Sequence, residues 1–118
     1  MALSLNHVHL KTRDPAATRR YYMDNFGATL KLETANGGCN LDLHGLQLNI
    51  TNLNTDQTHE QHYGIEHIAV NTTDYPGTLA KLRANNVTVL EELPREIGRR
   101  VCFLLAPDGA HMELIEKP

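Results

Sequence analysis

Asn6-His7-Val8-His9-Leu10-Lys11-Thr12-Arg13-Asp14 returns, 60 residues later, as Glu66-His67-Ile68-Ala69-Val70-Asn71-Thr72-Thr73-Asp74. His7 pairs with His67 and Asp14 with Asp74 in one frame. The alternation between His and Asp has the period of a strand. In the first copy it places Leu5, His7, His9 and Lys11 on one face and Val8 and Leu10 on the other. The aspartate that follows is a good helix N-cap, and Pro15 or Pro76 suits the first helical turn. Each copy therefore predicts a strand that runs into a helix.

The rest of each half extends the match. Ala17, Tyr21, Tyr22 and Phe26 recur at helical spacing, and Gly27 closes that helix. Thr29–Glu33 reads as extended and Asn36-Gly37-Gly38 as a turn. Cys39–Leu43 and Leu46–Thr51 read as strands joined at His44-Gly45. In the second half Leu79 and Leu82 mark the buried side of a helix that ends at Asn85-Asn86, and Asn86-Val-Thr-Val-Leu90 matches Gly27-Ala-Thr-Leu30 to within one residue. Glu91–Gly98 reads as a polar connection, Arg99–Leu105 as a strand, Ala106-Pro107-Asp108-Gly109 as a tight turn, and the chain closes on a last strand to Glu116. The expected organisation is a single domain over 1–118, with module one at 1–51, a polar linker at 52–64 and module two at 65–118. Its class is α+β: two tandem βαβββ modules, each too small to bury a good core alone, sharing one curved, cleft-lined sheet with the helices outside.

Composition narrows the functions. A chain of 118 residues with 41% apolar content and a net charge of −3 is an ordinary globular domain, with no electrostatic case for nucleic acid or an anionic membrane. No window reaches the apolar length of a membrane span, and the first residues do not read as a signal peptide. Cys39 and Cys102 are too few for a disulfide framework, so they read as buried thiols in a cytoplasmic protein. His59 and His62 are spaced like ligands but read as solvated loop histidines.

The chemistry starts from Glu113. His111, Glu113 and Ile115 share one face of the last strand, Met112 and Leu114 the other, and a carboxylate in so apolar a strand needs a partner or a cation. If Val8, Leu10, Ile68 and Val70 pack on the helices, His7 and His67 face the opposite way, as Glu113 does. Two imidazoles and a carboxylate suit a divalent metal with open positions. His9 shares the face of His7 and is open to three roles: ligand, general base or substrate contact. Gln47 and Asn49 share a face of their strand, as do Asn40 and Asp42. Arg99, two pleats from Phe103, is a candidate for an anionic substrate group. Phe103 and His111 complete the candidate substrate contacts. Glu113 and His9 are the candidate bases.

The frame His-Val-x-Leu-x-x-x-Asp, the helix end Asn25-Phe26-Gly27 and the segment Ala106-Pro-Asp-Gly-x-x-Met-Glu-Leu-Ile115 resemble the vicinal oxygen chelate superfamily, which includes glyoxalase I, methylmalonyl-CoA epimerase, extradiol dioxygenases and bleomycin-binding proteins. The resemblance covers nearly the whole chain. It implies paired βαβββ modules, usually in a homodimer, and a metal held by His7, His67 and Glu113. The fourth ligand position, often Glu or Gln in that family, falls on Asn49, one methylene shorter. The implied cofactor is a divalent ion (Zn, Ni, Mn, Co or Fe) and the implied partner a small anionic or oxygen-rich molecule. The implied reaction is a lyase, isomerase or epimerase step that moves a proton next to a carbonyl. Iron-dependent extradiol cleavage and non-catalytic drug binding are the alternatives; the absence of Trp leaves little to stack a catechol.

Overall fold

The computed structural model describes residues 2–118. Its elements are β1 (Leu3–Lys11), α1 (Pro15–Phe26), β2 (Thr29–Glu33), β3 (Cys39–Leu43), β4 (Leu46–Thr51), β5 (Gly64–Thr72), α2 (Tyr75–Ala84), β6 (Thr88–Leu93), β7 (Val101–Leu105) and β8 (His111–Glu116). The fold is α+β, with the βαβββ order twice. By packing, the chain divides into two compact units: His7–Glu66, and the residues up to Asn6 together with His67–Pro118. Among the described residues no helix is long and apolar enough to cross a membrane.

In the first unit the strand order is β2-β3-β4-β1. β1 and β4 run parallel with Val8 opposite Leu48, His9 opposite Asn49 and Lys11 opposite Thr51, while β3 is antiparallel to both its neighbours. The β3–β4 hairpin turns on His44 and Gly45, both at positive φ, and Asp42 Oδ1 accepts from Gly45 N–H at 2.8 Å. Asp14 caps α1 by accepting from Ala17 N–H, and Gly27, at φ 73°, ends it. The last turn of α1 carries no basic residue. His44 takes that place, donating from Nε2 to the carbonyl of Phe26 at 2.7 Å. The core is Leu10, Ala28, Cys39, Leu41, Leu48 and Ile50, with Val8, Tyr22, Met23 and Leu43 packed against it; each fully buried aliphatic side chain there contributes about 1.5–3 kcal/mol.

The second unit repeats the design with strand order β5-β8-β7-β6. β5 and β8 are parallel, with His67 opposite His111 and Ala69 opposite Glu113. The repeat extends to defects: β2–β3 shifts register between Leu30 and Leu32, and β6–β7 between Val89 and Glu91. Asn86, at φ 62°, stands where Gly27 stands, and Val87 N–H reaches the carbonyl of Leu82 as Ala28 N–H reaches that of Tyr22. Tyr75, Leu79, Cys102, Leu104 and Leu114 form the core. The first residues of the chain belong here: Asn6 Nδ2 donates to Asn71 Oδ1 at 2.9 Å, and Thr73 N–H to the carbonyl of Ala2.

Four expectations need correction. Of the helically spaced residues Tyr22 packs inward, but Tyr21 and Phe26 are exposed and Met23 packs beside Tyr22 in their place. Ile68 is 40% exposed rather than packed beneath α2. β6 continues to Leu93, because Glu91, Glu92 and Leu93 pair with Phe103, Cys102 and Val101, so the connection is shorter than the polar run suggests. The strand expected at Arg99–Leu105 begins only at Val101, so Arg99 and Arg100 lie in the connection before β7.

Glu116 joins the 94–100 connection to the end of β8. It accepts from the N–H groups of Gly98 and Arg100 and from the Arg100 guanidinium, whose Nε donates at 2.9 Å. The Arg100 bonds, with those amides, hold the Glu116 carboxyl down at about 2. A depressed carboxylate stabilises the fold above its unfolded value, near 4.5, and loses that contribution as pH falls through the folded one. The melting-temperature gap between the native chain and Glu116→Gln should therefore be constant above about pH 5.5 and close progressively toward pH 2. A gap that stays flat over that range would contradict the assignment.

Candidate metal and substrate site

In the second unit, parallel pairing sets the candidate residues side by side. His67 and His111 are register partners, and Glu113 lies between Ala69 on β5 and Phe103 on β7. His67 Nε2 is 3.0 Å from Glu113 Oε1, with both side chains largely buried. Two donors bound cis to one divalent ion at bonds of about 2.1 Å stand about 3 Å apart. The pair thus has the donor types and the spacing of two metal ligands. Phe103, buried, places its ring edge-on to His67 with centroids 5.3 Å apart, which restrains the imidazole plane. Ala69 leaves the Glu113 carboxylate beside a methyl group. An apolar cavity of about 340 Å³ in this unit is lined by Leu82, Leu104, Met112 and Leu114 on the helix side and reaches Pro107 and Glu113.

In the first unit His7 and His9 are 6% and 8% exposed, with ring centroids 5.6 Å apart. His9 Nε2 is 2.7 Å from Thr51 Oγ1. Thr51 was not singled out from sequence, although it continues the alternation Gln47, Asn49, Thr51 along β4. Gln47 Nε2 donates to Asn49 Oδ1 at 3.0 Å, and Lys31 Nζ to Gln47 Oε1 at 2.9 Å. The Asn49 oxygen, the atom a fourth ligand would use, is therefore engaged as an acceptor. Asn49 holds in β4 the place Glu113 holds in β8: one faces His9, the other Ala69, each opposite residue two beyond the paired histidine.

Arg99 lies apart from these groups. It precedes β7, its side chain is 74% exposed, and it faces Glu96 at 3.3 Å. His59 is half-buried rather than solvated, whereas the His62 side chain stays 43% exposed, with Nδ1 4.0 Å from the buried Glu66 carboxylate. Lys11, fully buried, donates from Nζ to Gln57 Oε1 at 3.0 Å and to Gln61 Oε1. No sequence pattern announced those contacts.

The family model described as Glyoxalase/Bleomycin resistance protein/Dioxygenase superfamily matches residues 4–114. The chain belongs to this superfamily. Glyoxalase I of Saccharomyces cerevisiae is 27% identical over 145 aligned residues, covering 96% of this chain and 44% of the yeast protein. The chain thus spans less than half the length of that curated relative. Among solved structures, methylmalonyl-CoA epimerase from Mycobacterium tuberculosis superposes with a TM-score of 0.71 at 20% identity, over 97% of this chain and 87% of the other. A Streptomyces coelicolor methylmalonyl-CoA epimerase variant solved with 2-nitronate-propionyl-CoA gives 0.72 at 23%, over 98% and 99%. A hypothetical protein from Bacillus halodurans gives 0.75 at 18%, over 100% and 96%. These structural likenesses are of fold.

Thiol chemistry is poorly placed in this superfamily member. Cys39 and Cys102 both lie in the helix-facing cores, and burial raises both thiols above their ordinary value. Iodoacetamide at neutral pH should therefore label neither cysteine in the native protein and both after denaturation, read by intact mass. Rapid native labelling of either would place a reactive thiol where the fold shows none.

Proposed function

We propose that this chain is a metal-dependent enzyme of the glyoxalase type, which moves a proton beside a carbonyl group of a small, oxygen-rich, anionic substrate. The whole of 1–118 acts as a single vicinal-oxygen-chelate domain, and His7, His67 and Glu113 are its ligands for a divalent ion (Zn, Ni, Mn, Co or Fe). One observation carries the reading: the 3.0 Å approach of His67 Nε2 and Glu113 Oε1, set by adjacent parallel strands. The equivalence of His7 with His67 in the repeated frame supports the third ligand. Bound to such a set, a divalent cation would polarise neighbouring substrate oxygens and make the adjacent C–H more acidic.

The chain's own groups then have separable tasks. A base must take the proton and return it, and two candidates share the work in this reading. Glu113 presents Oε1 to His67, so its other oxygen is the one to accept a proton. In His9, Nε2 meets the Thr51 hydroxyl at 2.7 Å, so in this reading Nε2–H donates to Thr51 and Nδ1 is the nitrogen that acts as base. Gln47 and Asn49 offer amides, and His111 and Phe103 flank the pair, as substrate contacts. Arg99 would have to leave Glu96 to join them. The fold shared with two epimerases supports the reading only by analogy: an epimerase, by its name, inverts a centre, and a proton taken from one face and returned to the other would accomplish that. Assembly is proposed to be a homodimer in the cytoplasm. Leu3, Leu5 and Ile68 of the second unit are exposed apolar residues on strands, of the sort a second subunit would cover.

The test is metal content followed by turnover. Alanine at His7, His67 or Glu113 should each weaken metal binding by more than about 100-fold, with Asn49→Ala costing much less. Solvent deuterium should enter substrate or product. His9→Gln should lower kcat by about 10²–10⁴-fold with metal content intact. Metal loss in that variant would make His9 a ligand, and oxygen consumption by iron-loaded protein would replace proton transfer with ring cleavage. Sedimentation at micromolar concentration should show a dimer; a monomer there would end that part of the proposal.

A further inference from the structure

The segment 52–64 reads as a polar linker, yet it is built. Its ends meet: Tyr63 Oη donates to Asn52 Oδ1 at 3.1 Å, Asn52 Nδ2 to the carbonyl of Arg13, and the Arg13 guanidinium sits 4.2 Å above the Tyr63 ring. Inside, the Gln61 amide imitates a strand partner, accepting from Asn54 N–H at 2.9 Å and donating to its carbonyl at 2.8 Å. The same Gln61 oxygen, with that of Gln57, receives the Lys11 ammonium. Taken as whole residues, 52–64 are exposed or half-buried, although the His59 Nε2 atom is buried, whereas Lys11 is completely buried. A loop of this length without secondary structure, closed at its ends and tied through one buried side chain, has the build of a movable Ω-loop. Gly64, at φ 94° with open space around it, supplies a hinge where β5 begins.

Lys11 shares its face of β1 with His7 and His9, one strand repeat of about 7 Å beyond His9. Both histidines are nearly closed to solvent, so any ligand reaching them needs part of the protein to move. We propose that residues 52–64 form a strap latched by Lys11 through Gln57 and Gln61, and that release of this latch opens the β1 face carrying His7 and His9. The significance of the gate rests on the proposed site, but the latch itself does not. The attachments of Asn52, Asn54, Gln57, Gln61 and Tyr63 are polar bonds of a kind that water can replace, and no residue of the segment belongs to either hydrophobic core. That places its opening at the low end of the local unfolding energies within the fold.

Hydrogen exchange by mass spectrometry on the full chain, with no metal added, tests the latch. Lys11→Met keeps the aliphatic stem and removes the ammonium; Gln61→Leu keeps the lysine and removes its acceptor. In both, amides of residues 53–62 should exchange at least 10-fold faster while β3 and β4 keep their protection; Asn54 reports the latch only in Lys11→Met, because Gln61→Leu removes its own acceptor. Should Lys11→Met lose protection throughout, Gln61→Leu and Gln57→Leu carry the test. Native strap protection in the folded variants would overturn the latch. Access is read separately, as the rate of diethyl pyrocarbonate addition to the peptide holding His7 and His9. That rate should rise with strap exchange, and faster strap exchange without faster histidine modification would overturn the gate. Neither readout depends on bound metal or turnover. Failure to bind metal would therefore sink the proposed function and leave both results standing.

Discussion

Parallel pairing of β5 with β8 decides which side chains can meet in the second unit. With His67 opposite His111 and Ala69 opposite Glu113, the pleat turns these residues one way and Met112 and Leu114 the other. A slip of one residue would carry Glu113 into the layer beneath α2, among Leu79, Leu104 and Leu114. An unpaired carboxylate there costs several kcal/mol, and two core side chains would lose their burial as well. The hydrophobic pattern thus enforces the register, and the register delivers His67 Nε2 to within 3.0 Å of Glu113 Oε1. The chemistry of the polar face is a by-product of packing on the apolar face.

The same constraint operates in the first unit, which allows the halves to be compared position by position. On the helix side they match in kind: Leu10 with Val70, Cys39 with Cys102, Leu41 with Leu104, Leu48 with Met112, Ile50 with Leu114. On the other side they part, with His9 against Ala69, Gln47 against His111, Asn49 against Glu113 and Asn40 against Phe103. Even the register shift in the outer strand pair recurs, at Leu30–Leu32 and Val89–Glu91. One face bears the fold and tolerates only apolar exchanges; the other is free to diverge. The paired histidines His7 and His67 are the exception, alike on the face where the halves otherwise differ.

That asymmetry suits proton transfer better than a symmetric pair of half-sites would. Equivalent ligands can come from a repeated frame, but acid–base work at one carbon requires groups that differ in position and proton affinity. In the proposed reading the first unit adds an imidazole at His9 and the second a carboxylate at Glu113, each where the other has a group that cannot do the same work. An amide does not take a proton at neutral pH, and a methyl group takes none. Thr51 then matters because its hydroxyl meets the His9 ring, for which the second unit has only the methyl group of Ala69.

What could be read in the chain follows from the range of each signal. Caps, positive-φ turns and strand alternation are local, and Asp14, Asp74, Gly27 and the His44-Gly45 turn all stand as their neighbours implied. The duplication extended those local signals to topology and to the pairing of Asn49 with Glu113. Local pattern failed where a side chain's fate depends on what lies above it. Tyr21 and Phe26 have helical spacing, but the core accepts only the stripe through Tyr22 and Met23. The 52–64 segment shows the limit most clearly. Alternation puts Lys11 on the histidine face, where a bare ammonium would be costly to bury. Its acceptors lie 46 and 50 residues away, in a stretch with no period at all. Glutamines are common in solvated loops, so neither Gln57 nor Gln61 stands out until the chain has folded back. A buried lysine implies a partner; only the path of the loop can say which, and that path is held by the lysine itself.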